Sequence, residues 1–244
     1  MLTKIVHLGT TASTNDYLRN APTPSAGAMT VATADFQTAG RGQGTNTWES
    51  EQGKNLLFSI LTSPTSVPAD QQFVLSMAGA LALRAALCHY TGHITLKWPN
   101  DIYWRDRKIS GTLIETALRG KTISRCIYGI GLNVNQRVFR SDAPNPVSLY
   151  NIIGRETPLQ ELLDIILYHF AAYYQRATDG SFSGIIAEYN AALYRRSGLH
   201  KYQDVASGTV FNASIEQIGT DGMLRLVDTD NRHRVYSLKE VKFV

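Results

Sequence analysis

The sequence predicts an α+β fold that ends in a small all-β segment. Three observations predict it. Short apolar runs of strand length, such as Met29-Thr-Val-Ala-Thr33 and Asn55-Leu-Leu-Phe-Ser-Ile-Leu61, punctuate the first part. Two longer stretches repeat apolar residues three and four apart, as a helix with one buried face does. The composition shifts at Arg195-Arg-Ser-Gly198, and only strand-like runs follow.

Each element has a local cause. Thr14 opens a short polar helix, Asn15-Asp-Tyr-Leu-Arg-Asn20, which Ala21-Pro-Thr-Pro24 ends. Residues 29–33 read as a strand and residues 55–61 as a buried one. Between them, residues 37–54 are polar and lack apolar periodicity; so long a connection is expected to be functional. Pro68 opens a helix carrying Phe73, Val74, Met77, Leu81 and Leu87 on one face, ending near Gly92. Strands follow over 94–98, 109–116 and 123–134. Thr157-Pro-Leu-Gln160 has the pattern of a capping box. The helix it starts shows Leu159, Leu162, Leu163, Ile166 and Phe170, and a further helix is expected over 182–194. Strand-like runs at 208–218, 223–228 and 234–238 are separated by the turn signals Asp221-Gly222 and Asp230-Asn231. The expected division is residues 1–197 and a small β domain, 198–244.

Composition removes several classes. The 244 residues permit a sizeable core, and 43% hydrophobic content excludes wholesale disorder. The net charge of +4 is too small and dispersed to argue for nucleic acid; anionic small substrates fit equally well. No apolar run reaches membrane-spanning length, and the amino terminus lacks a signal-peptide core. Cys88 and Cys126 sit in apolar surroundings and read as buried thiols of a reducing cytosol. A cytoplasmic enzyme is expected.

Four segments offer chemistry. Ser13-Thr14-Asn15 stands at a helix entry, where one hydroxyl is explained by capping and the others could read a planar polar ligand. Gln37-Thr-Ala-Gly40-Arg41-Gly42-Gln43-Gly44 allows close backbone approach and offers a guanidinium for an anion, while Trp48 could stack on a purine. Lys97-Trp-Pro-Asn-Asp101 followed by Arg107-Lys108-Ile-Ser-Gly111 reads as a hairpin with residues 103–106 near its tip. Tyr128-Gly-Ile-Gly131-Leu-Asn133 carries two glycines within a strand; a β-bulge or a close ligand would explain them.

In this order the segments resemble the biotin protein ligases, also called biotin–[acetyl-CoA-carboxylase] ligases. The resemblance covers essentially the whole chain. It implies a mixed β-sheet with helices on one face, related to the class II aminoacyl-tRNA synthetase fold, and an SH3-like carboxy-terminal barrel. It implies that biotin and ATP give biotinyl-5′-AMP and pyrophosphate, with Mg²⁺. Biotin then passes to a lysine of a biotin carboxyl carrier protein or domain.

Residue roles follow from the same resemblance. Lys108 matches the lysine at the carboxylate and α-phosphate. Arg41 matches the glycine-loop arginine, and Asp101 an aspartate proposed to receive the carrier lysine. Ser13, Thr14, Asn15, Gln37, Gly40, Gly111, Leu113, Gly129 and Gly131 match biotin-contacting positions. Gly42, Gln43 and Trp48 match the nucleotide side, and Asn133 a position near the adenylate phosphate that could help hold Mg²⁺. The Gln43 position is arginine in many members, so looser adenylate retention is expected here. The motif begins at Ser13, so no amino-terminal DNA-binding domain and no repressor role are expected. A monomer or homodimer is expected. The alternatives are a lipoate or octanoate ligase of the same fold, and a nucleic-acid-binding module.

Overall fold

The computed structural model describes residues 1–44, 46–141 and 144–244. Residue 45, within the expected functional loop, lies outside them. The first sheet has seven strands: β1 (Leu2–Thr11), β2 (Ala28–Gln37), β3 (Leu56–Thr62), β4 (Ile94–Lys97), β5 (Asp101–Trp104), β6 (Arg107–Arg119) and β7 (Thr122–Leu132). Their order is β1-β2-β3-β7-β6-β5-β4. Only β1 and β2 run parallel. A parallel neighbour needs a crossover, and helix α1 (Thr14–Arg19) lies within it.

β3 is buried along its full length because both of its faces are covered. Leu56, Phe58 and Ile60 pack with Tyr128, Ile130 and Leu132 of β7 in the main core. That core includes α2 (Phe73–Leu87), α4 (Leu159–Thr178) and α5 (Phe182–Ala191). The three longest helices therefore share one face, as expected. The short α1 lies on the other, where Leu18 meets Ala32, Leu61 and Ile127. α2 is buried almost all round, since it is sandwiched between sheet and helices.

Five short strands form a second, antiparallel sheet: β8 (His200–Asp204), β9 (Val210–Ile218), β10 (Leu224–Asp228), β11 (His233–Tyr236) and β12 (Val241–Phe243). Its order is β11-β10-β9-β8-β12, consistent with the expected SH3-like form. It shares the main core through Tyr202, Ile218, Leu224 and Val241. Trp98 Nε1 donates to the Gly222 carbonyl (2.9 Å), fastening it to the first sheet.

Several expectations need correction. β1 carries no readable apolar alternation: it is an edge strand, largely exposed, so no burial pattern is imposed on it. β8 and β12 are similarly short and mixed. Cys88 is exposed at the end of α2; only Cys126 is buried. The Thr157 capping box does not form. α4 starts after Pro158 without a side-chain cap, and the Thr157 backbone is held at both polar groups by Asn135 (2.9 Å each). A capping box forms instead at Ser148 and Asn151, on α3 (Leu149–Ile153). Gly129 and Gly131 mark no bulge, for both pair regularly with β3 and β6.

Candidate active site

Strand register aligns the motif residues into rows. One row runs Lys97, Asp101, Gly111, Gly131, Leu57 across five strands. The next runs Leu113, Gly129, Ser59, Ala32. Both rows lie on the α1 face of the sheet, since side chains two apart on a strand share a face. They floor a cavity of about 610 Å³.

Lys108 reaches this face through a bulge. Gly111 pairs with Asp101 and Ser110 with Ile102, but Tyr103 then pairs with Lys108, leaving Ile109 without a partner residue. Strict alternation would put Lys108 and Gly111 on opposite faces. The extra residue reverses the parity, as bulges near functional sites do. Ile109 is fully buried in the core, and Lys108 lines the cavity with Gly111. Lys108 Nζ stands 2.7 Å from Asp101 Oδ1. The contact is an ion pair, and Oδ1 has no other polar partner among the described residues. Lys97 also borders the cavity and donates to Tyr103 Oη (2.9 Å). Burial lowers its pKa and Asp101 opposes that shift.

At the α1 end the hydroxyls are committed to one another. Ser13 is the N-cap but makes no side-chain cap bond. The Thr14 amide instead donates to Gln37 Oε1 (2.7 Å). Ser59 Oγ donates to Asn15 Oδ1 (2.6 Å) and lies 2.6 Å from Thr14 Oγ1. Thr14 Oγ1 also lies 3.1 Å from Gln37 Oε1, so its one proton is shared between Ser59 and Gln37. Asn15 Nδ2 is left as a buried donor with no protein partner. The Asn15 amide lies so close to Gly129 that a Cβ there would stand 2.3 Å from Oδ1.

The glycine loop brings Trp48 over the same floor. The Trp48 amide donates to the Gly40 carbonyl (3.1 Å), and Arg41 bridges to Thr47. The indole rests on Gly131, where a Cβ would stand 2.3 Å from Cε2. Trp48 Nε1 is a second buried donor without a partner among the described residues. The Lys108 ammonium lies 5.7 Å from the indole centroid. Arg41 lines the cavity, and its guanidinium donates to Asp16 Oδ1 (2.6 Å).

Thus Ser13, Thr14, Asn15, Gln37, Arg41, Gly42, Gln43, Trp48, Asp101, Lys108, Gly111, Leu113, Gly129 and Gly131 all border one cavity. Gly40 and Asn133 do not. Gly40 lies behind Trp48. Asn133 is buried with its Nδ2 donating to the Val147 carbonyl (3.2 Å), although its Oδ1 has no partner. Among the described residues no three His, Cys, Asp or Glu converge as a metal cage. Asn133 Oδ1 is a single neutral oxygen, so these residues do not by themselves hold a resident Mg²⁺. Sequence reasoning missed Lys239 and Lys242, which reach the cavity from the second sheet. Nothing local marks them; the docking of that sheet brings them there.

This fold and cavity have known counterparts. The description of the biotin/lipoate A/B protein ligase family matches residues 9–133. A biotin–[acetyl-CoA-carboxylase] ligase of Paracoccus denitrificans is 30% identical over 228 residues, spanning 90% of this chain and 92% of that one. The chain belongs to the biotin/lipoate A/B protein ligase family. Within that family, the bifunctional ligase/repressor BirA of Bacillus subtilis is 27% identical over 236 residues; the match spans 94% of this chain and 70% of that protein. Biotin protein ligase from Aquifex aeolicus, solved with biotin and ATP, superposes with a TM-score of 0.80 at 24% identity over 99% of both chains. Biotin protein ligase from Leishmania major, solved with biotinyl-5-AMP, gives 0.67 at 24% identity over 96% of this chain and 98% of that one. These structural likenesses establish the fold. Family membership bears out the expected ligase class. No helix among the described residues is long and apolar enough to cross a membrane.

Proposed function

We propose that the chain activates biotin with ATP and transfers it to a lysine of a biotin carboxyl carrier protein or domain. The observation that carries this reading is one cavity joining two kinds of group. Unpaired, buried amide and indole donors, Asn15 Nδ2 and Trp48 Nε1, line it. So do the cations Lys108, Lys97, Lys239 and Lys242, with Lys108 beside Trp48 over Gly111. A buried donor without an acceptor costs on the order of 1–3 kcal/mol, which a ligand carbonyl would recover. The ureido oxygen of biotin is such an acceptor, and a triphosphate suits the cations.

In the first step a biotin carboxylate oxygen attacks the α-phosphorus, and pyrophosphate leaves. Mg²⁺ accompanies ATP as part of the substrate. Lys108 draws the two anions together and offsets charge on the α-phosphate. In the second step the carrier lysine attacks the acyl carbon, and AMP leaves with the electron pair of the broken C–O bond. Asp101 is placed to take the proton that the lysine amine gives up. The Gly129 and Gly131 floor, with Asn15 and Trp48 upon it, holds the bicyclic ring and the adenylate.

The test supplies MgATP with biotin or lipoate and measures pyrophosphate, then biotin transfer to a carrier domain. Biotin-dependent release and transfer are expected. Preference for lipoate would replace the substrate while leaving the ligase class standing.

A further inference from the structure

Arg41 does not reach toward Lys108 in this structure; it is engaged by two carboxylates on the opposite side. Its Nη2 lies 2.6 Å from Asp16 Oδ1 and 3.6 Å from Glu115 Oε1. Asp16 follows Asn15 on α1. Glu115 lies on β6, two residues beyond Leu113 and on the same face. A second arginine completes the cluster. Arg19 donates to Asp16 Oδ1 (2.6 Å) and to both oxygens of Glu115 (2.8 and 2.9 Å).

The pairing is asymmetric. Arg19 satisfies both acids by itself, with a bidentate contact to Glu115. Arg41 adds one hydrogen bond to an acid that already has a cation. Its departure therefore leaves no carboxylate without an ion-pair partner. All four groups are partly exposed, so each pair is weak and readily exchanged.

We propose that Asp16 and Glu115 are positioning residues that hold Arg41 beside α1 while no anion is bound, and that Arg19 sets how easily they release it to a nucleotide phosphate. This rests on the ligase reading only in naming the phosphate. Opposite effects follow from neighbouring residues. Asp16→Asn removes the acceptor that competes with phosphate, so nucleotide should bind more tightly. Arg19→Gln leaves Arg41 as the sole cation for two acids, so nucleotide should bind more weakly.

The experiment measures MgATP affinity by calorimetry on the full chain, and KM for ATP and biotin together with kcat in pyrophosphate release. Two- to fivefold tighter ATP binding is expected for Asp16→Asn, and a similar weakening for Arg19→Gln, the range an exposed pair supports. The KM for ATP should follow, with kcat and the biotin KM within about twofold, since an exposed pair contributes no more. Glu115→Gln should shift in the same direction as Asp16→Asn and serves if that variant folds poorly. Unchanged ATP affinity, or shifts of one sign in all variants, would overturn the proposal. The calorimetry needs no turnover. Opposite shifts in a chain inactive with biotin would sink the substrate reading and spare this one.

Discussion

Lys108 Nζ and Asp101 Oδ1 stand 2.7 Å apart on neighbouring strands, and the bulge at Ile109 is what lets them meet. The Lys108 ammonium is thereby held by a carboxylate of the neighbouring strand. Lys97 lies opposite Asp101 in register, but its ammonium donates to Tyr103 Oη (2.9 Å).

Lys108→Ala should reduce biotin-dependent pyrophosphate release by about 10²–10³-fold, the usual cost of losing one transition-state charge contact. Asp101→Asn should slow transfer to the carrier more than formation of the adenylate. Single-turnover measurement of the two steps separates these outcomes, and a Lys108→Ala rate within twofold of wild type would remove the assignment.

Gly131→Ala should disturb the site by displacement of one ring. The added methyl would meet Trp48 Cε2 at 2.3 Å, so the indole must lift from the sheet. The expected cost is about 1–3 kcal/mol of stability. Trp48 emission should shift, and ATP affinity should fall. Unfolding midpoints and fluorescence check both; an unaltered spectrum would show that the ring does not rest there.

Retention of the reactive adenylate should respond to Gln43. Its neighbour Gly44 lies against the Lys239 ammonium, close enough that a Cβ would stand 2.9 Å from Nζ. Lys239→Ala is expected to weaken ATP binding and shorten adenylate lifetime. Gln43→Arg is expected to lengthen it. An equal lifetime in all three proteins would exclude a role for charge at this edge of the loop.

The two cysteines should react very differently. Burial pushes the Cys126 thiol up to about 12, whereas Cys88 is exposed. At about pH 8 Cys126 is almost wholly protonated as well as inaccessible. Iodoacetamide should therefore add once to the native protein and twice in denaturant, as read by mass spectrometry.

Acid should loosen the segment after Trp48. Burial tends to raise the Glu49 pKa, but hydrogen bonds from Ser141, Arg140 and Gln136 outweigh it and hold the carboxyl below 4.5. A depressed folded pKa gives stability that is present above the unfolded value and lost as pH falls through the folded one. Wild type should therefore exceed Glu49→Gln in stability near neutral pH, and the gap should close below 4.5. Urea midpoints across that range test the sign.

The legible parts of the fold were those with a burial pattern. α2 and α4 announce themselves because a buried helical face repeats every three or four residues. β1 does not, because an exposed edge strand has no face to protect. The site was legible wherever a motif is contiguous, from Ser13 to Gly131. Asp16, Ser59, Glu115 and Lys239 escaped because their partners are distant in sequence. Asn133, expected near the adenylate phosphate, is buried with its Nδ2 donating to the Val147 carbonyl.

The order and chemistry of the segments are written in the chain itself: three polar residues at a helix entry, a glycine loop with one arginine, two lysines flanking an aspartate, and glycines spaced two apart. In that order those residues resemble a ligase family, although no one segment by itself points to it. Their alignment is a tertiary matter. Register across four strands sets Lys97, Asp101, Gly111 and Gly131 side by side, and one unpaired residue in β6 turns Lys108 onto their face. Local sequence does not encode that parity, because a bulge forms only when the neighbouring strand fixes which residues must pair.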